Sequence, residues 1–108
     1  MNESMEIVKP SEVDFDKLIQ QPEQYIILLT ESQFMKLDRT CVKAINSRLL
    51  NRKSPLAKLA AYVLDITLRQ NFKCNCFPYN SHFAIYFKKG NDTARDARIK
   101  TIIQGGKA

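Results

Sequence analysis

Two cysteines and the single histidine of the chain have the side chains best suited to metal binding or catalysis. Cys74 and Cys76 are separated by one residue, and His82 follows six residues later. With Cys41 they could offer thiolate and imidazole ligands to zinc, which takes about four such ligands in tetrahedral geometry. The Cys-x-Cys spacing is shorter than the usual Cys-x-x-Cys, and no second pair exists. We therefore expect no metal and no cofactor.

The same residues offer little for catalysis. A nucleophilic pair of Cys74 or Cys76 with His82 would need flanking sequence that this chain lacks. Cys74 and Cys76 alternate onto one side of a strand, which equally fits two small buried residues. Asp14 and Asp16 would point to different faces of a helix, so they do not form a carboxylate pair. No GxxxxGK[ST] phosphate loop occurs. We expect a protein that is not an enzyme.

The strongest pattern in the chain is the distribution of charge. Residues 1–33 contain seven acids and two bases, whereas residues 34–108 contain four acids and fifteen bases. The first part therefore has a net charge of −5 and the second a net charge of +11. Such asymmetry is typical of proteins with an electrostatic partner, most often nucleic acid.

The basic residues predict phosphate contacts. Several cations on one surface bind a nucleic-acid backbone by releasing its counterions, and this requires no motif. Tyr79 and Tyr86 could add stacking surfaces for bases, although strand aromatics more often belong to the core. The alternative is a solvated basic face. The residues that we expect to contact DNA or RNA are Lys36, Arg39, Lys43, Arg52, Lys53, Lys88, Lys89, Arg95 and Arg98.

A protein partner is the alternative to nucleic acid. A small chain with one basic face and one acidic end also suits an adaptor or inhibitor of the phage or mobile-element type. Such a protein docks on a larger host protein. Its basic face would meet an acidic surface, with exposed aromatic residues as anchors. The acidic N-terminal part could also fold against the basic body and compete with nucleic acid.

Helices and strands that could position these residues follow from hydrophobic spacing and capping signals. Helices are predicted from Pro10 to Gln20 with Ser11 as the cap, and from Glu31 to about Leu50 after a Thr30–Gln33 capping box. Two more are predicted from Ser54-Pro55 to about Phe72 and from Ala94 to about Gln104. Strands are predicted at Tyr25–Leu29, Lys73–Phe77 and His82–Lys88, with a turn at Pro78–Ser81.

The resulting order, α-β-α-α-β-β-α, predicts an α+β fold with a small antiparallel sheet covered by helices on one face. We expect one domain over residues 10–104, with flexible segments at 1–9 and 105–108. No signal peptide, membrane-length apolar run or paired-cysteine framework is present. The expected location is therefore the cytoplasm, with reduced thiols.

This order of elements over residues 11–88 resembles that of winged-helix DNA-binding domains. The resemblance implies that Ser54–Phe72 would enter the major groove and that Pro78–Ser81 would be the tip of the wing. The chain departs from the family pattern in two respects. Ser54–Phe72 is apolar nearly all round, whereas a DNA-reading helix needs polar side chains, and the tip contains neither lysine nor arginine.

Overall fold

The computed structural model describes residues 5–47 and 55–104, with only the backbone described for residues 43–47. Within these residues it contains four α-helices and one mixed four-stranded sheet, which confirms the α+β fold. The strands are β1 (Glu6–Val8), β2 (Tyr25–Thr30), β3 (Lys73–Tyr79) and β4 (His82–Lys88). The helices are α1 (Phe15–Gln20), α2 (Glu31–Ser47), α3 (Pro55–Leu68) and α4 (Thr93–Ile103).

The capping signals explain where α2 and α4 begin. At α2, the Thr30 hydroxyl accepts the backbone N–H of Gln33 at 3.1 Å, and the Gln33 side chain accepts that of Thr30 at 3.0 Å. This reciprocal pair is the predicted capping box, and it satisfies two amides at the helix start. At α4, the Asp92 carboxylate accepts the backbone N–H of Arg95. Asp92 is therefore the N-cap of α4.

The first predicted helix is split into two segments. Residues Pro10–Glu12 form a short 3-10 helix, and α1 begins only at Phe15. The cap of α1 is Asp14, whose carboxylate accepts the backbone N–H of Lys17, so the prediction that Ser11 caps this helix is wrong. Serine and aspartate are both common N-cap residues, so sequence spacing alone does not distinguish Ser11 from Asp14.

Strands β3 and β4 form the predicted hairpin, with a tighter turn than expected. Tyr79 pairs with His82, so β3 extends to Tyr79 and only Asn80 and Ser81 form the turn. Both turn residues have positive φ angles, 47° and 64°. Two consecutive residues of this conformation match the right-handed twist of the flanking strands.

The sheet order is β1-β2-β4-β3. Strand β2 pairs antiparallel with β4 and parallel with β1. We expected residues 1–9 to form a flexible segment, yet Glu6–Val8 pairs along the edge of β2. Three residues carry too little periodic pattern to predict a strand, and the hydrogen bonds that stabilise it come from a strand nearly twenty positions away. Residues 1–4 and 105–108 lie outside the described residues.

Helices cover both faces of the sheet. Against one face pack α1, α2 and α3, around a core that includes Leu18, Ile27, Leu59 and Phe87. Against the other face packs α4, whose Ile99 and Ile103 contact Ile26, Ala84 and Tyr86. Alternation along β2 and β4 sends successive side chains to opposite faces, so both faces are apolar. The expectation that helices cover a single face is therefore wrong for α4.

Helix α3 is the central helix of the larger layer. It buries Leu59, Ala60, Val63 and Ile66, as its apolar surface predicted. Its Asp65 forms an ion pair with Arg69, at 3.4 Å. Because so much of α3 faces the core, few of its side chains are free to read a major groove. Among the described residues, no helix is long and apolar enough to cross a bilayer.

Candidate nucleic-acid interface

The structure describes the side chains of six of the nine predicted phosphate contacts, four of them exposed and two buried. Lys36 and Arg39 are exposed on the outer surface of α2. Lys89 is exposed just after β4, and Arg98 is exposed on α4, on the opposite side of the sheet. Lys88 and Arg95 are buried, whereas the Lys43 side chain and Arg52 and Lys53 lie outside the described residues. The nine residues therefore do not form one surface.

Lys88 is held inside the fold by a network centred on Asp96. Only 6% of Lys88 is exposed, and its ammonium donates to the Asp96 carboxylate at 2.6 Å. The Tyr86 hydroxyl donates to the same carboxylate at 2.6 Å, and Asn75 donates to it at 3.4 Å. These hydrogen bonds, that from Lys88 first, lower the pKa of Asp96. Lys88 is thus occupied within the chain, and its prediction as a phosphate contact is wrong.

The same network removes Tyr86 as a stacking surface. Tyr86 is buried between the sheet and α4, with its hydroxyl bonded to Asp96. Burial raises the pKa of Tyr86 to about 12, and the adjacent carboxylate adds to the shift. The phenol therefore keeps its proton and acts as a structural donor. Tyr79 lies on the same face of the sheet, half-buried at the end of β3, and its aromatic ring retains some accessible surface.

Arg95 is the second predicted contact that the fold uses internally. It is 8% exposed, and its Nε donates to the carbonyl of Phe87 at 3.1 Å. Its terminal nitrogen donates to the carbonyl of Glu23. One guanidinium thereby ties α4 to the end of β4 and to the turn that precedes β2. Its planar fork suits two carbonyl acceptors, and the prediction that Arg95 contacts phosphate is wrong.

Lys89 and Lys36 lie near opposite ends of β4. The Lys89 ammonium lies 5.0 Å from the centre of the Phe72 ring, a cation–π contact. It borders a cavity of about 430 Å³ whose lining includes Glu23 and four glutamines. Lys36 instead borders a cavity that His82 also lines, at the start of β4. A seven-residue strand is roughly 20 Å long, so these two lysines belong to separate sites.

The cavity beside Lys36 brings together residues that the sequence did not connect. It has a volume of about 360 Å³ and lies where β2 ends and β4 begins. Three of its lining residues carry basic groups: Lys9, Lys36 and His82. Ser11 and Thr30 contribute hydroxyl groups, and none of the lining residues that the structure describes is acidic. Lys9 and His82 are 73 positions apart, and no spacing signal could have paired them.

The register of the hairpin separates the cysteines from the histidine. Cys74 lies opposite Phe87 and Cys76 opposite Ile85, so both thiols face the α1–α3 layer. His82 lies two positions before Ala84 and faces the other side. A Cys–His pair across the hairpin therefore does not form. The part of the chain that the structure describes contains no group of three residues able to hold a metal ion.

The three cysteines are free thiols, and desolvation raises the pKa of each. Cys74 and Cys76 are exposed, and Cys41 is half-buried. Desolvation by neighbouring atoms nevertheless raises the pKa of Cys74 to about 12 and that of Cys41 to about 11, with Asp38 adding to the shift at Cys41. Solvent contact makes Cys74 reachable, but at neutral pH its thiol stays protonated. Only the thiolate is a good nucleophile or metal ligand.

The outer surface of α2 also exposes apolar side chains. Met35 is 54% exposed and Val42 is 51% exposed. Arg39 lies between them, four residues after Met35 and three before Val42, so the three share one face of the helix. This face combines apolar area with a positive charge.

Comparison with known proteins gives no match to a protein family, to a curated protein or to a solved structure. The function must therefore be inferred from the geometry and charge of the chain itself.

Proposed function

We propose that this protein binds nucleic acid by contacting phosphates, with Lys36 and Arg39 as the principal described contacts. The observation that carries the proposal is the exposure of both side chains on α2, within the segment of net charge +11. Phosphate binding needs exposed cations close together, because each neutralised phosphate releases counterions. Residues three apart on a helix satisfy this requirement.

Of the two other exposed cations that the structure describes, only Lys89 lies where it could extend this surface, and Arg98 does not. Lys89 is exposed on the same side of the sheet as Phe72, which it contacts, and a long ligand on α2 could extend toward it. Arg98 lies on α4, across the sheet from α2, so we leave it outside this surface. Contacts to phosphate set affinity and salt dependence and carry no sequence information. We therefore propose a regulatory or accessory protein with little sequence preference of its own.

Charge reversal on α2 tests the proposal. Fluorescence anisotropy with labelled single-stranded DNA, duplex DNA and RNA measures the affinity of the native protein and of a Lys36→Glu/Arg39→Glu variant. We expect the variant to lose at least roughly tenfold in affinity at low salt, because two phosphate contacts become repulsive. Lys17→Glu/Lys100→Glu is the matched control, with the same change in net charge at two exposed helical positions. Equal losses in both variants would show that α2 has no special role.

A second candidate function, docking on a protein, is favoured by one specific observation. Met35 and Val42 expose apolar surface on either side of Arg39, and this combination suits an acidic protein surface with an apolar centre. In this case α2 would bind a larger host protein. Nucleic acid binding needs neither apolar residue.

Substitution of the apolar pair separates the two functions. A Met35→Ser/Val42→Ser variant should keep its affinity for nucleic acid if the first proposal holds. If α2 instead docks on a protein, the native chain should retain one stoichiometric partner after nuclease treatment, and the variant should lose it. Retention of the partner by the variant would exclude this surface as the docking site.

A further inference from the structure

We propose that the cavity lined by Lys9, Lys36 and His82 binds one phosphate monoester, at the end of the nucleic-acid strand that the proposed function assigns. The inference rests on that proposed function for the source of the phosphate. The site itself rests on the residues that line the cavity. It joins the N-terminal segment, the start of α2 and the start of β4 in one recess.

The charge of the lining selects for an anion. Lys9 and Lys36 supply two ammonium groups, and neither forms an ion pair with a carboxylate in the described part of the chain. Three other cavities among the described residues each have an acid in their lining: Glu23 in the one beside Lys89, and Asp65 and Asp96 in the other two. A cavity whose described lining residues include bases and no acids attracts anions and repels cations.

The hydrogen-bond donors of the lining fit phosphate oxygens. The Thr30 side-chain oxygen accepts a hydrogen bond from the backbone N–H of Gln33. The Thr30 hydroxyl proton therefore remains free to donate to another group. The Ser11 hydroxyl lies on the same lining. The His82 Nδ1 lies 3.0 Å from the carbonyl oxygen of Asn80, and this contact requires a proton on Nδ1 and fixes the ring. Ammonium and hydroxyl donors around one recess match the several acceptor oxygens of a phosphate.

The size of the cavity favours a phosphate at the end of a nucleic-acid strand over a phosphate within the strand. A volume of about 360 Å³ is at the lower limit of ligand pockets, which hold roughly 300–1,000 Å³. A recess of this size accepts a terminal phosphate with part of its sugar, whereas an internal phosphodiester must continue in both directions. The same monoester chemistry occurs in a free mononucleotide, so the test must separate a strand end from a nucleotide.

The single histidine of the chain provides a direct readout of occupancy. We would follow the His82 ring proton resonances by NMR during titration with inorganic phosphate and with a nucleoside monophosphate. We expect a saturable shift in the native protein and roughly tenfold weaker binding in Lys9→Gln, which removes one charged donor. Lys17→Gln is the matched control and should bind like the native protein. The absence of a saturable shift, or equal binding by Lys9→Gln, would overturn the site.

Anisotropy with oligonucleotides of one sequence, with either a 5′-phosphate or a 5′-hydroxyl, then tests the strand end. We expect tighter binding of the phosphorylated strand, with the advantage lost in Lys9→Gln. Equal affinity for both strands would overturn the strand-end assignment while the proposed nucleic-acid binding stands. A saturable nucleotide shift without binding of either strand would support the phosphate site and overturn the proposed function. No saturable shift in the NMR titration, together with no binding of either strand, would overturn both the phosphate site and the proposed nucleic-acid binding.

Discussion

Replacement of Arg95 by alanine should destabilise the domain, although sequence analysis places this residue among the surface cations. The guanidinium donates to the carbonyls of Phe87 and Glu23 and is 8% exposed. Hydrogen bonds from charged donors contribute roughly 1.5–3 kcal/mol each, and the loss of either leaves an acceptor without its partner. Part of this sum is offset because the variant no longer buries a charge. We therefore expect a net loss of about 3 kcal/mol in the free energy of unfolding.

Urea unfolding followed by circular dichroism measures this loss. In thermal unfolding of the same variant, a change of about 3 kcal/mol should lower the melting temperature by roughly 12–24 °C in a domain of this size. Lys36→Ala is the control, and an exposed substitution of this kind should stay within about 0.5 kcal/mol of the native protein. Arg95→Lys should lie between the two, because an ammonium retains the charge without the planar fork. An Arg95→Ala variant as stable as Lys36→Ala would refute the structural role of Arg95.

Three further predictions concern stability and reactivity. The hydrogen bond from Lys88 lowers the pKa of Asp96 in the folded protein. The contribution of Asp96 to stability should therefore be complete above its ordinary pKa of 3.8. It should disappear as the pH falls through the lowered pKa of the folded state. Urea midpoints from pH 7 to acid should therefore fall less steeply for Asp96→Asn, and parallel curves would contradict this linkage. Thr30→Ala removes the capping box of α2 and should cost about 1 kcal/mol of unfolding free energy, measured in the same assay; an unchanged midpoint would show that the cap does not stabilise the helix. Iodoacetamide should modify Cys74 slowly at pH 7.5, because a pKa of about 12 keeps its thiol protonated. Mass spectrometry of peptides from the quenched native protein gives the rate at Cys74, and modification as fast as in an unfolded peptide would contradict this prediction.

Local sequence signals were sufficient to predict much of the fold. Helix α2 begins at its predicted capping box, and β4 has its predicted bounds, His82–Lys88. These elements depend on contacts within a few residues, such as side-chain caps and alternating apolar positions. Strand β1 depends instead on pairing with β2 far along the chain. A three-residue strand has no periodicity that could reveal such pairing from the sequence.

The candidate sites were harder to predict, because exposure depends on tertiary packing. Lys88 is the last residue of an alternating strand, where a lysine is expected to face solvent, yet α4 covers that face and supplies Asp96 as its partner. The helical position of Arg95 does not distinguish it from a surface residue. Its burial depends on carbonyl acceptors that other elements of the fold supply. Conversely, Lys9 lies in the acidic N-terminal segment, residues 1–33, where the charge pattern predicts no phosphate contact. Only the fold places it beside Lys36.

The dependence of DNA affinity on salt tests the central claim most directly. The slope of log affinity against log salt counts the phosphates that the protein neutralises, at roughly 0.9 per contact for duplex and 0.7 for single strands. If Lys36 and Arg39 each contact a phosphate, Lys36→Glu/Arg39→Glu should reduce the slope by roughly 1.8 or 1.4 respectively. The Lys17→Glu/Lys100→Glu control should keep the native slope. A native protein with no salt-dependent affinity, or two variants with the same slope, would contradict nucleic-acid binding through α2.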